Sequence, residues 1–286
     1  MATTERVAVL DHGYIEAIEN WGSDERIIEA ARMSTGKGFK GWGRLVCSCG
    51  AISQSARFTD SALASETPRP RPFIDDKMTV CPTERGGRHV TDGLPTDGDE
   101  RLLRFLWENK HQTPFEMAGL TIEVQAPIFV FREWHRHRVP FGYNEMSARY
   151  TPLPDVNYIP SLERLLVGSD GKNRQAGTVA GAEAIDEQKA RDFQAALMRI
   201  YSDAEHIYQA ALTMGVPKEL ARVHLPVGRY SRMRATSNLR GWLGFLALRM
   251  APGAQWEIRQ YANAVGALIA DRFPRTWALF AEGTGR

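Results

Sequence analysis

The spacing of apolar residues divides the chain into periodic stretches separated by two long polar ones. Val7 to Leu10 is a short apolar run that predicts a strand. Asp24 to Met33 puts Ile27, Ile28 and Ala31 on one helical face behind a Ser23 cap. Between Gly36 and about Gly98 the periodicity disappears: Gly, Pro, Ser and Asp are dense, and a Pro-Arg-Pro-Arg-Pro run occupies Pro68 to Pro72. Structureless loops rarely exceed about 12–15 residues, so this stretch reads as an insertion. Helical spacing returns over Asp99 to Lys110, and Leu120, Ile122 and Val124 then alternate as in a strand. Pro127 stands where a helix can begin, and PIFVFREWHRHR predicts one helix running through Arg138.

A short apolar run at Leu165 to Val167 precedes a second polar loop, Gly168 to Ala180. Ala182 to Met214 predicts a long helix, with Phe193, Leu197, Ile200, Ile207 and Leu212 as its apolar stripe. Met214 to Pro217 breaks it, and Pro217 opens a short helix. Val227 to Asn238 has strand content, and its arginines predict a half-exposed face; Leu239 to Met250 and Gln255 to Phe273 are helical. The pattern is α+β: an antiparallel sheet with several helices, some long. It predicts one domain over 1–286, with the insertion at about 36–98.

Composition changes this picture little. At 286 residues, 43% hydrophobic and 24% charged, the chain resembles an ordinary globular protein. A formal net charge of +2 is close to neutral and gives no argument for nucleic acid or a membrane surface as a partner, and neither is expected. No apolar run approaches the roughly 18 residues of a bilayer span, and MATTERVAVLDHG lacks the segments of a signal peptide. The expected location is the cytoplasm. The three cysteines, Cys47, Cys49 and Cys81, all lie in the insertion and do not suggest a disulfide framework.

Positive charge is local instead. Arg132 to Tyr150 (REWHRHRVPFGYNEMSARY) holds four arginines and two histidines beside only Glu133 and Glu145, interleaved with Trp134, Phe141, Tyr143 and Tyr150. Guanidinium forks suit phosphate oxygens, and aromatic faces suit stacked bases, so the segment fits a phosphorylated aromatic ligand. A solvated basic helix end is the plainer reading of a charge run. Within the segment, Trp134 reads as core, and Ser147 as a hydrogen-bonding group without a His–Asp partner. His135 and His137, two apart on the predicted helix, would point to different sides and share no metal ion.

The run RHR followed by NEMSARY resembles the signature of flavin-dependent thymidylate synthases. HQTPFE at His111 to Glu116, FREWHRHR at Phe131 to Arg138, ARVHLP at Ala221 to Pro226, SNLRGWLGFLALR at Ser237 to Arg249 and AQWEIRQYA at Ala254 to Ala262 resemble further family segments in the same order. AARMS at Ala30 to Ser34 resembles one upstream. The resemblance implies reductive methylation of dUMP at C5 with FAD, NADPH and 5,10-methylenetetrahydrofolate, in a homotetramer whose subunits share active sites. It implies that Ser34, His111, Thr113, Arg136, His137, Arg138, Glu145, Asn238 and Arg240 hold FAD. Glu133, Arg136, Glu145, Ser147, Arg149 and Arg222 would line the nucleotide site, with Arg249 against the uracil as the catalytic group. Taken alone, Arg249 on an apolar helix reads as a structural ion-pair arginine.

Two departures from the family pattern stand out. Eight residues, Val139 to Met146, separate RHR from Ser147 where the family has seven, and the extra one falls in Val139 to Gly142. A longer loop there predicts room for a ribose 2′-hydroxyl, hence UMP as an alternative substrate. Gly244 stands where relatives supply a polar flavin contact. In the insertion, Cys47, Cys49, Cys81 and His89 form a candidate zinc set, but C-x-C is not the usual hairpin spacing and a loop is favoured. Two further alternatives are a flavoprotein that oxidises NADPH without folate chemistry, and a nucleotide- or RNA-binding module that stacks bases on the basic-aromatic segment.

Overall fold

The computed structural model describes residues 6–42, 98–166 and 185–285. They fall into two compact units, one drawn from Met1–Asn20 and Gly119–Leu268, the other from Trp21–Ala118 and Ile269–Arg286. Most of the predicted insertion, the loop Gly168 to Ala180 and the candidate zinc set lie outside the described residues.

The first unit is built on a five-stranded sheet of order β1-β2-β3-β5-β4. Its strands are β1 (Arg6–Val9), β2 (Gly13–Trp21), β3 (Gly119–Pro127), β4 (Gly142–Glu145) and β5 (Tyr230–Asn238). β1 with β2, β3 with β5 and β4 with β5 pair antiparallel. The alternation seen in the sequence sorts the two faces. Leu120, Ile122 and Val124 are buried beside Ser237, Ala235 and Met233, while Thr121, Glu123 and Gln125 share the polar face with Thr236, Arg234 and Arg232. β2 was not predicted: its buried Tyr14, Ile15 and Ala17 do not alternate cleanly, and Gly13 reads as a turn residue. The structure explains that glycine, because a Cβ there would lie 1.9 Å from the Tyr261 hydroxyl and 2.6 Å from the Val9 carbonyl.

Helices cover the apolar face. They are α3 (Ile128–Trp134), α7 (Leu239–Arg249) and α8 (Trp256–Arg272), and they centre on Trp134, Trp242, Phe245 and Tyr261, all fully buried. The Trp134 ring stacks on Phe245 at 4.9 Å, and Trp242 Nε1 donates to the Leu120 carbonyl at 2.9 Å. The reading of Trp134 as core holds. After the short α4 (Leu162–Leu166), α5 (Glu187–Thr213) is the long helix predicted, but its stripe behaves otherwise. Ala190, Ala204 and Tyr208 are buried, whereas Phe193, Ile207 and Ile200, the last 60% exposed, face outward in the single chain. Apolar periodicity identifies a face that favours cover, not which chain supplies it.

The second unit holds α1 (Asp24–Arg32), α2 (Asp99–Glu108) and α9 (Pro274–Thr284), with short 3₁₀ turns. Ser23 caps α1 as predicted, its hydroxyl accepting from Arg26 N. α9 went unpredicted, because its cap is not local: buried Asp24 accepts from the Arg275 and Thr276 backbone N–H groups and the Thr276 hydroxyl.

Candidate active site

The helix expected to run through Arg138 ends at Trp134. The reason is tertiary. The Tyr143 hydroxyl, carried back by β4, donates to the His137 carbonyl at 2.6 Å and lies 3.3 Å from the Trp134 carbonyl. Burial pushes that hydroxyl's pKa up, so it stays a donor. His135 and His137 therefore leave the helix, and the helix-face argument about their directions does not apply. His135 Nε2 contacts the Met233 sulfur at 3.1 Å. Among the described residues no group of three His, Cys, Asp or Glu could hold a metal ion.

His137 instead meets Arg249, the last residue of α7. Arg249 Nε donates to His137 Nε2 at 2.9 Å, Nη1 to Glu133 Oε2 at 2.7 Å and Nη2 to the Glu133 carbonyl at 2.9 Å. Two separated segments, Glu133 to His137 and the end of α7, thus converge, and the ion-pair reading of Arg249 is met by Glu133. Aromatic rings form the wall beside them. His137 lies edge-on to Phe245 at 4.9 Å, and Phe141 stacks on Tyr143 at 5.5 Å and meets Trp242 edge-on at 4.8 Å.

Burial, and then the charge of Arg249, lower the His137 pKa from 6.5 to about 4, with Glu133 opposing. A depressed folded pKa means the unfolded chain binds more protons between about pH 4 and 6.5. Stability is therefore complete above 6.5 and falls with pH through about 4. The full shift is worth about 3 kcal/mol, and solvent screening of a half-buried ring reduces it to about 1–2 kcal/mol. Denaturant unfolding at pH 7 and pH 5 should show wild type losing more stability on acidification than His137→Gln. Equal losses would refute this.

The loop between His137 and β4 is the one lengthened by a residue. Val139 is 91% exposed, while the Pro140 ring sits against α7 where Gly241 has no side chain; a Cβ there would lie 2.7 Å from that ring. Asn238 caps α7, its Oδ1 accepting from Gly241 N at 2.9 Å, and Arg240 is exposed in the helix's first turn. Arg136 and Arg138 are exposed as well. Gly244 has open space around it: among the described residues no group lies within 4 Å of where a side chain would begin.

The remaining predicted residues lie in separate groups. Arg149 pairs with Glu219 at 3.3 Å, and Lys218 Nζ donates to the Tyr150 carbonyl at 3.0 Å. These contacts bring the Ser147 turn to α6 (Lys218–Ala221), and Arg222 follows three residues after Glu219. The Ser147 hydroxyl accepts from Arg149 N at 3.3 Å. Glu145 lines a groove of about 330 Å³ with Glu123, Asn144, Met146, Arg232, Met233 and Arg234; neither Arg249 nor Arg149 lines it. Sequence reasoning did not single out Arg232 and Arg234, though the Arg-Met-Arg alternation in a strand was the available signal. Ser34, His111 and Thr113 belong to the second unit and are exposed there, Ser34 Oγ donating to the Ala31 carbonyl at 3.2 Å.

The donor set fits a diphosphate-bearing cofactor: exposed guanidiniums at Arg136, Arg138 and Arg240, and a helix N-terminus at Asn238. Among the described residues no helix is long and apolar enough to cross a membrane.

Comparison with known proteins agrees with this chemistry. The profile of the family described as thymidylate synthase complementing protein matches residues 16–275. A flavin-dependent thymidylate synthase from Thermus thermophilus is 32% identical over 276 residues, 96% of this chain and 78% of that protein. The one from Thermosipho africanus is 32% identical over 96% of this chain and 93% of its own. Among solved structures, the UMP/dUMP methylase PolB from Streptomyces cacaoi, bound with 5-Br UMP, superposes with a TM-score of 0.65 at 26% identity, covering 96% of each chain. The same enzyme bound with 5-Br dUMP matches equally, covering 96% of this chain and 97% of that one.

Proposed function

The chain belongs to the flavin-dependent thymidylate synthase family, and we propose that it methylates C5 of dUMP, with FAD bound, NADPH as hydride donor and 5,10-methylenetetrahydrofolate as one-carbon donor. In the balanced reaction the C5 hydrogen leaves as a proton and a methyl group takes its place. Its methylene carbon comes from the folate and its added hydride from NADPH, leaving NADP⁺ and tetrahydrofolate. The two freed nitrogens of the latter take up two protons, one matching that lost from C5 and one drawn from solvent. The observation that carries this reading is Arg249, held by Glu133 and His137 at the edge of an aromatic wall.

Uracil C5 becomes nucleophilic only as negative charge enters the ring. A permanently charged guanidinium beside the pyrimidine O2 edge stabilises that charge as it develops, without a protein thiol. Arg149 and Arg222 bind the nucleotide phosphate, Arg149 exchanging Glu219 for a dianion that attracts it more strongly. Ser147 and Glu145 complete the nucleotide contacts. Arg136, His137, Arg138, Asn238 and Arg240 hold the flavin. When bound, it supplies the redox and one-carbon-carrying chemistry. The exposed apolar residues of α5 support assembly of this chain into the homotetramer in which such sites are shared.

UMP is the second reading. The lengthened loop Val139 to Gly142 favours it, and the PolB enzyme is a methylase of both UMP and dUMP. Purified protein should be yellow, sediment as a tetramer and form a 5-methylated nucleotide. Offered UMP and dUMP together, it should methylate both within about tenfold, since one hydroxyl in an open loop is worth about 1 kcal/mol. Strict dUMP preference would remove the UMP reading. Flavin-dependent NADPH oxidation with no methylated product would overturn the methylase reading, and a monomer would overturn the shared sites.

A further inference from the structure

We propose, resting on the reading that Arg249 activates the pyrimidine, that His137 is a positioning residue for that arginine, its ring kept as the neutral Nδ1–H tautomer so that Nε2 accepts from Arg249 Nε.

A guanidinium carries five N–H donors, and three of Arg249's are engaged: Nε by His137, Nη1 by the Glu133 carboxylate and Nη2 by the Glu133 carbonyl. One donor on each terminal nitrogen remains for a ligand, a pair matched to adjacent acceptors on a planar edge. Without the bond at Nε, both remaining anchors belong to Glu133 and the guanidinium plane can pivot about them. The identity of the third anchor matters electrically. A second carboxylate would offset the charge the reaction uses, whereas a neutral ring nitrogen satisfies Nε and leaves that charge intact.

The surroundings hold the ring in this form. Arg249 on α7 and Glu133 on α3 are the charged groups that face it, and Phe245 and Phe141 flank it. Its backbone is fixed by the Tyr143 hydroxyl. Protonation would set an N–H against an N–H, and burial together with Arg249 keeps the ring neutral down to about pH 4.

Two measurements test this. In protein labelled with ¹⁵N-histidine, with His137 assigned from the His137→Gln variant, the ring should be protonated at Nδ1 and bare at Nε2 from pH 7 to pH 5. An Nε2–H tautomer, or titration near the ordinary 6.5, would overturn the proposal whatever the enzyme's activity. In the holoenzyme, exchange of the dUMP C5 hydrogen for solvent deuterium is compared per bound flavin at saturating nucleotide. His137→Leu should slow exchange about 10–100-fold while dUMP affinity changes by less than about threefold. His137→Gln, whose amide oxygen can take the place of Nε2, should recover most of that loss. Equal slowing in both variants, or a loss that vanishes on normalising to flavin, would leave His137 a flavin ligand alone and overturn the proposal. A wild-type enzyme that exchanges no C5 hydrogen would instead remove the proposed function, and the tautomer would still decide the geometry.

Discussion

Replacing Arg249 by Ala should lower turnover about 10²–10³-fold at saturating nucleotide, the usual cost of losing one donor aimed at developing charge. Flavin content should change little, because Arg249 is not among the residues proposed to hold the flavin. Arg249→Lys should recover little of it. A lysine presents a point charge on a flexible stem and cannot engage the His137 ring, the Glu133 carboxylate and the Glu133 carbonyl in one plane. A second readout separates this from unfolding. With the guanidinium gone, one cause of the depressed His137 pKa goes with it, so that ring should titrate closer to 6.5 in Arg249→Ala. Turnover within about fivefold of wild type would remove Arg249 from the chemistry and leave it a structural ion pair.

The largest effect on stability is expected at Arg229, which is 1% exposed. Its Nη1 donates to Glu205 of α5 at 2.5 Å and its Nη2 to the Leu153 carbonyl at 3.0 Å. Asp155, 3.3 Å away, is exposed and adds little. Arg229→Ala leaves the largely buried Glu205 carboxylate and a carbonyl without their partner. The cost should be about 3–5 kcal/mol in denaturant unfolding. The double variant Arg229→Met with Glu205→Leu should regain most of it, because apolar replacement removes the desolvation of both charges. If the double variant is as unstable as Arg229→Ala, the arginine's packing rather than its charge carries the effect.

Much of this fold was legible where one face of an element decides its pattern. β3 could be read from Leu120, Ile122 and Val124 because burial on one side enforces a period of two. α1 and α2 could be read because a short amphipathic helix has the same simplicity. β2 and α9 could not. The pairing of β2 leaves Gly13 against a tyrosine from α8, and α9 is capped by a carboxylate some 250 residues away. No local window contains either partner. The end of α3 escaped for the same reason: Arg-His-Arg is acceptable in a helix, and it is Tyr143 that takes up the carbonyl of His137.

The residue types and order of the basic-aromatic segment, the motif at Ser237 to Arg249 and the lack of a cysteine outside the insertion limit the chemistry without reference to any fold, since guanidiniums and rings bind only certain ligands. Folding alone decided which of those groups meet. Arg249 and His137 lie 112 residues apart and are joined by a 2.9 Å bond. Arg149 meets Glu219, and Glu145 faces a different groove with Arg232 and Arg234. Side-chain chemistry belongs to each residue wherever it stands, but protonation, tautomer and aim depend on neighbours brought from elsewhere in the chain. That is why the ligand class could be read from the sequence, while the neutral histidine behind the arginine could not.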